Sequence, residues 1–191
     1  PFSLLYRIIT SVRNFLYNKH IIKSTQFKTP TIVVGNLSVG GTGKTPQIEY
    51  LIRLLQNDYK IAVLSRGYKR KSIGFIIANE NVTAEIIGDE PFQYYLKFPN
   101  IIVCVDADRV NGIQQLEALE NPPDIILLDD AFQHRRLNAG FNILLTSNQN
   151  LYVDDSMLPT GNLRENKSGA KRAQVIIVTK CPTNISEVEQ L

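Results

Sequence analysis

Two hydrophobic rhythms divide this chain. At its start Phe2, Leu5, Ile8, Ile9, Val12, Phe15 and Leu16 recur at helical spacing, while Arg7, Ser11, Asn14 and Asn18 take the other side. That spacing predicts an amphipathic helix. From residue 31 the pattern becomes short, continuous apolar runs at 31–35, 60–65, 74–78, 101–105, 124–128, 141–145 and 175–179. Unbroken runs of this length read as strands covered on both faces. Between them, Thr45–Gln56 predicts a helix with Ile48, Leu51, Ile52 and Leu55 inward, and Arg109–Leu119 predicts another. A helix is also expected to begin at Asp89-Glu90-Pro91, where proline fits the first turn, and a further one from Thr183 onward. Strands alternating with helices predict an α/β fold, a mostly parallel sheet with helices on both faces and ligands at the carboxyl ends of the strands. Residues 146–173 are polar and read as a long loop, a kind of segment that tends to be functional in compact domains.

At 191 residues the chain is long enough for a full core. No apolar run approaches the ~20 residues of a membrane-spanning helix, and nothing resembles a cleavable signal peptide. Cys104 and Cys181 sit beside apolar runs without Cys or His at ligand spacing, and read as core thiols in a reducing compartment. The formal charge of +3 is unevenly spread. Residues 1–48 carry Arg7, Arg13, Lys19, Lys23, Lys28 and Lys44 with no acid before Glu49, so the remainder is net acidic. An acid-free amphipathic helix suits an anionic membrane surface, whereas a helix packed only on protein usually carries mixed charges. Nucleic-acid binding is disfavoured, because large apolar residues dilute the cations.

The chemistry centres on Thr31-Ile-Val-Val-Gly-Asn-Leu-Ser-Val-Gly-Gly-Thr-Gly-Lys-Thr-Pro46. A strand enters a glycine-rich loop that closes on a predicted helix, the setting of a phosphate-binding P-loop. Ser38, Val39, Gly40, Gly41, Thr42, Gly43, Lys44 and Thr45 are therefore candidate nucleotide ligands. Lys44 is placed for the β/γ-phosphates and the Thr45 hydroxyl for Mg²⁺. Ser38 stands where the standard pattern has glycine. A metal-organising carboxylate is expected at a strand's carboxyl end, either Asp106/Asp108 or Asp129/Asp130. The second pair is preferred because it follows its run directly, while Asp106 or Asp108 more commonly caps a helix. Asp89 and Glu90 read as an N-cap and a first-turn acid, with a base and a metal-side acid as the functional alternative. Gln133 or His134 could sense or position the γ-phosphate and Arg135 and Arg136 could neutralise charge, with a solvated surface arginine pair as the alternative.

Five ordered segments resemble the tetraacyldisaccharide 4′-kinase (lipid A 4′-kinase) family: 34–46, Leu64-Ser-Arg-Gly-Tyr68, Gly88-Asp-Glu-Pro91, Asp129-Asp-Ala-Phe-Gln-His-Arg-Arg-Leu137 and Leu158-Pro-Thr-Gly-Asn-Leu-Arg-Glu165. The family tolerates a non-glycine at Ser38. The resemblance implies transfer of the ATP γ-phosphate to the 4′-hydroxyl of an acylated disaccharide 1-phosphate, with Mg²⁺. It further implies peripheral attachment to the cytoplasmic face of the bacterial inner membrane, without nucleic acid or an obligate protein partner. By motif position Asp89 becomes the base, and Glu90, Asp129 and Asp130 the metal-side acids with Thr45. Lys44, Arg164, Glu165 and His134 become active-site residues, with Arg66 beside them. Residues 1–28 become a membrane-associating segment and 29–191 a kinase domain, the family's C-terminal lobe lying outside this chain. A nucleotide-dependent regulatory or chaperone-type switch is the alternative that the residues alone leave open.

Overall fold

The computed structural model describes residues 2–183. Seven strands form one sheet in the order β3-β4-β2-β5-β1-β6-β7. They are β1 (Thr31–Asn36), β2 (Ile61–Ser65), β3 (Ile76–Ile77), β4 (Ile102–Val105), β5 (Ile125–Asp129), β6 (Phe141–Ser147) and β7 (Val175–Thr179). All neighbours run parallel except the two-residue β3, which pairs antiparallel with β4 at the edge. The helices are α1 (Phe2–Asn18), α2 (Lys44–Leu55), α3 (Ala84–Ile87), α4 (Asp89–Lys97) and α5 (Arg109–Glu117), with a 3₁₀ helix at Lys167–Arg172. The expected α/β architecture is present. The short α3 and the 3₁₀ helix were not foreseen, and the helix expected from Thr183 onward lies outside the described residues.

Alternation along each strand divides the core in two. Val33, Leu64, Ile126, Leu128 and Leu144 face one side, where Ile113 and Leu116 of α5 cover them. Val34, Val63, Leu127 and Leu145 face the other, beneath Ile48 and Ile52 of α2 and Tyr94 of α4. Strands buried on both faces need no polar alternation, which is why the sequence shows unbroken runs. β1 and β5 are neighbours, yet the chain leaves β1 towards β2 and leaves β5 towards β6. The crevice between their carboxyl ends is therefore the place where such a sheet binds ligands. Gly35 permits the close approach there: a Cβ on it would lie 2.6 Å from the Phe132 Cβ.

Helix α1 turns its two sides in opposite directions. Its polar side faces the protein: Tyr6 Oη donates to the Arg164 carbonyl at 2.8 Å, and Asn14 Nδ2 to Glu165 Oε2 at 3.0 Å. The apolar stripe points outward, with Ile8 51% and Val12 52% exposed. No helix among the described residues is long and apolar enough to cross a membrane. Cys104 is buried as expected, but Cys181 is exposed, because it lies beyond the end of β7 rather than within it.

A polar seam joins α2 to α4, the helices that begin at the P-loop and at the Asp89-Glu90 pair. Residues 45, 49 and 53 share one helix face, and 89, 93 and 97 share another. Buried Glu49 accepts from Lys97 Nζ at 2.6 Å, Gln93 Nε2 at 2.8 Å and Arg53 Nη2 at 3.1 Å. Burial pushes its carboxyl up, but the bonds from Lys97, Gln93 and Arg53 together hold it below the ordinary range. Glu49→Gln removes the charge while keeping the shape, and should cost about 1–2 kcal/mol at pH 7 by urea denaturation. Because the folded-state pKa is depressed, that difference should shrink as the pH falls below about 4. An unchanged midpoint at pH 7 would show that the seam is not stabilising.

Candidate active site

The P-loop leaves β1 and turns into α2 through Gly43, whose φ of 84° is left-handed and favours glycine. Together with the ends of β2, β4 and β5 it walls a cleft of about 1000 Å³. Gly40 to Thr45 line this cleft, as do Arg66, Glu90, Asp129, Asp130, His134 and Arg164. Residues from five separated segments thus meet at one point. Ser38 and Val39 do not line it. Their backbone pairs instead with the 157–165 loop: Ser38 bridges to Leu163, and Val39 N donates to the Asn162 carbonyl at 2.8 Å. Position 38 is therefore part of a clasp at the loop's entry, where a side chain is tolerated.

Two adjacent acids dominate the electrostatics. Asp129 closes buried β5, and burial together with Asp130 raises its carboxyl to about 6, with Lys44 and Arg109 pulling the other way. Asp130 turns outward at a left-handed φ of 49°. Lys44 Nζ lies 3.7 Å from it, and Arg164 Nη1 sits 3.1 Å from both of its oxygens. Lys44 also reaches Asn36 Oδ1 at 3.4 Å. Beneath these groups the fully buried Tyr94 lies 3.5 Å from Asp129 Oδ2 and meets Thr45 through the same hydroxyl. Burial first, and Asp129 second, hold that phenol protonated far above its usual range.

Arg109 is a wall residue that sequence reading passed over as a helix start. It is 3% exposed, and donates from Nη1 to the Asp106 carbonyl at 2.6 Å and from Nη2 to the Asp129 carbonyl at 3.0 Å. Burial lowers its guanidinium to about 10 while Asp129 and Asp130 oppose that. A signal did exist: a cation at a helix's first position opposes the dipole and needs another reason to be there. Asp108 caps α5 through Val110 N and Asn111 N, and Asp106 accepts from Asn111 Nδ2 at 2.6 Å. Both are scaffold acids, as the preference for Asp129 and Asp130 anticipates.

Four other candidates fall in distinct places. Glu90 lines the cleft, whereas Asp89 beside it is exposed and outside the lining. Glu165 lies behind the wall, 3% exposed, accepting from Asn14, Gln133 and twice from Arg172. The structure does not bring it to the cleft surface, because every one of those bonds draws its carboxylate inward. His134 is half-buried with an unpartnered Nε2, and burial and Arg109 push its pKa down, which keeps the ring neutral at pH 7. In the loop itself the Thr42 hydroxyl is buried with no partner.

A family model described as tetraacyldisaccharide-1-P 4′-kinase matches residues 1–191. Among curated proteins, the tetraacyldisaccharide 4′-kinase of Flavobacterium johnsoniae is 66% identical over 190 residues, covering 100% of this chain and 56% of the relative. Those of Flavobacterium psychrophilum and Bacteroides thetaiotaomicron are 68% and 50% identical, with 55% and 50% of their lengths covered. The crystal structure of LpxK from Aquifex aeolicus in complex with ATP matches with a TM-score of 0.86 at 43% identity, covering 94% of this chain and 57% of that one. The chain thus spans about half the length of the proteins it matches.

The raised carboxyl of Asp129 has a consequence for stability. Its folded-state pKa lies above the unfolded value, so protonation favours the fold and the ionised form at pH 7 opposes it. Asp129→Asn should therefore stabilise the protein, without divalent cations, by on the order of 2 kcal/mol at pH 7. The gain should be lost as the pH falls below about 4, where Asp129 is protonated in the folded and the unfolded protein alike. Denaturant midpoints at the two pH values test this, and a destabilised variant at pH 7 would contradict it.

Proposed function

The chain belongs to the tetraacyldisaccharide-1-phosphate 4′-kinase family, and we propose that in the whole protein it moves the γ-phosphate of ATP to the 4′-hydroxyl of an acylated disaccharide 1-phosphate. The observation that carries this reading is the meeting of Gly40–Thr45 with Glu90, Asp129, Asp130, Arg66 and Arg164 in one cleft. Loop amides, the α2 N-terminus and Lys44 cradle the phosphates. The unpartnered Thr42 hydroxyl fits an added acceptor such as a phosphate oxygen. Mg²⁺ takes one or two carboxylates and completes its shell with phosphate oxygens and water. Thr45 with Asp129, Asp130 and Glu90 would hold it, one or two of the acids directly and the rest through bound water, and the ion would supply neutralisation of charge on the phosphate oxygens.

Phosphoryl transfer asks the protein mainly to position and to stabilise charge. Asp89, at the exposed start of α4, accepts the hydrogen bond of the attacking hydroxyl and orients it. Arg66 and Arg164 offset charge on the transferring group, and neutral His134 donates or accepts without adding charge. Glu165 acts from behind, fixing Gln133 and Arg172 rather than touching the nucleotide.

Residues 1–28 serve as the membrane-associating segment and 29–191 as the kinase domain. The outward stripe of α1 supports this, since it leaves its large side chains without cover while the helix is pinned by Tyr6 and Asn14. Such a stripe, flanked by cations and no acid, inserts into an anionic leaflet on the cytoplasmic face of the inner membrane.

In the whole protein, Lys44→Ala should abolish ATP binding. Asp89→Ala should keep that binding and lose about 10²–10⁴-fold in transfer of labelled γ-phosphate to the disaccharide lipid. Normal turnover by Asp89→Ala would overturn the assignment of the base. Ile8→Asp with Val12→Asp should leave the melting temperature unchanged, because both side chains are half exposed. The same pair should release the protein from phosphatidylglycerol vesicles in sedimentation, and unchanged sedimentation would refute the anchor.

A further inference from the structure

A second cavity of about 530 Å³ lies beside the cleft and shares His134 with it. Its other walls come from the end of α1 and the turn after it (Tyr17, His20), from Arg135, from Arg172 of the 3₁₀ helix, and from Gln174. Among the described residues no Asp or Glu lines it.

Cations crowd this space. The guanidiniums of Arg13 and Arg135 lie 5.9 Å and 5.2 Å from the centre of the same Tyr17 ring, and that of Arg172 lies 4.5 Å from the Phe132 ring. The acid that faces them is Glu165, whose oxygens are already taken by Arg172, Gln133 and Asn14. Arg135 donates from Nη2 to Asn18 Oδ1 at 2.8 Å, but its Nη1 is buried with no acceptor. Burial and then Arg172 push its guanidinium below the ordinary value, and Glu165 opposes them only in part. His134 Nε2, between cavity and cleft, is a second buried nitrogen without a partner. Buried donors on a charged group are costly to leave unmade, and an anion is the partner that offsets both the missing bond and the excess charge.

We propose that this cavity binds a phosphate-class anion, free or as the phosphate of a phospholipid headgroup, with Arg135 as its main ligand and Arg172 opposite. The volume holds a phosphate together with the first atoms of a headgroup. The site is separate from the P-loop, and its wall residue His134 places it in contact with the nucleotide cleft.

The whole protein carrying Lys44→Ala, which disables the P-loop, isolates the site. Titration with inorganic phosphate, followed by calorimetry and ³¹P line broadening, should show one saturable site. Adding Arg135→Gln should weaken it by about tenfold or more. Arg136→Gln, at an exposed arginine paired with Asp108, should leave it unchanged. Gln174→Glu keeps the acceptor that holds Asn142 N and places a carboxylate in the cavity. It should abolish phosphate binding and raise the melting temperature, which keeps the test informative if Arg135→Gln folds poorly. Short-chain phosphatidylglycerol that competes with phosphate identifies a headgroup as the natural occupant, and failure to compete identifies the free anion. Absence of a saturable site in the Lys44→Ala protein, or phosphate binding undiminished by Arg135→Gln or Gln174→Glu, overturns the proposal.

Discussion

Two carboxylates side by side at the end of a buried strand repel each other, and much of this molecule is arranged around holding them there. Asp129 finishes β5 inside the core while Asp130 follows it beyond the strand end in a left-handed conformation. Cations then arrive from three directions: Lys44 from the P-loop helix, Arg164 from the 157–165 loop and Arg109 from the start of α5. None of these alone would balance two charges in a low-dielectric site. Together they still leave Asp129 with a raised carboxyl, because burial and then Asp130 outweigh them. On the proposed reading, a divalent cation bound with a nucleotide would offset the two charges, and the same preorganised field would serve phosphoryl transfer.

The 157–165 loop shows how distant parts are tied to this pair. Its backbone clasps the P-loop entry at Leu37 and Val39, and Arg164 reaches Asp130 from it. The next residue, Glu165, gathers Asn14 of α1, Gln133 after the acid pair and Arg172 of the 3₁₀ helix. Helix α1 is thus fixed to the wall of the cleft by polar bonds together with the packed Tyr6 and the buried Tyr17. That choice frees its apolar stripe for another medium while keeping the helix in register with the site. A lipid acceptor presented by a membrane would then meet the cleft at a set height.

Strand runs, P-loop and acid pair were legible in the sequence because each imposes a local pattern. Burial on both faces writes an unbroken apolar run, and a phosphate cradle needs small residues before a helix. The direction in which α1 faces was not legible, since amphipathicity says that two sides differ but not which is covered. The motif implies an active-site role for Glu165, while its bonds come from positions 14, 133 and 172, which no local spacing reveals. Arg109 and Tyr94 were missed for a related reason: their partners at Asp106, Asp129 and Thr45 become neighbours only when β4, β5 and α2 pack. Ser38 shows the reverse, an irregular residue explained once its backbone is seen paired with Leu163.

Glu49 and Asp129 are both buried carboxylates, yet their environments act on them in opposite senses. Lys97, Gln93 and Arg53 hold the first below the ordinary range, so its charge supports the fold. Burial and Asp130 hold the second above it, so its charge opposes the fold. The two are linked through the seam, since α2 carries both Thr45 and Glu49, and α4 carries Tyr94 with Gln93 and Lys97. The stabilising charge therefore fixes the very helices that must tolerate the destabilising one. Stability is concentrated where the helices are aligned and given up where a ligand is to be held, which is the arrangement expected of a site preorganised for charge that arrives with its substrate.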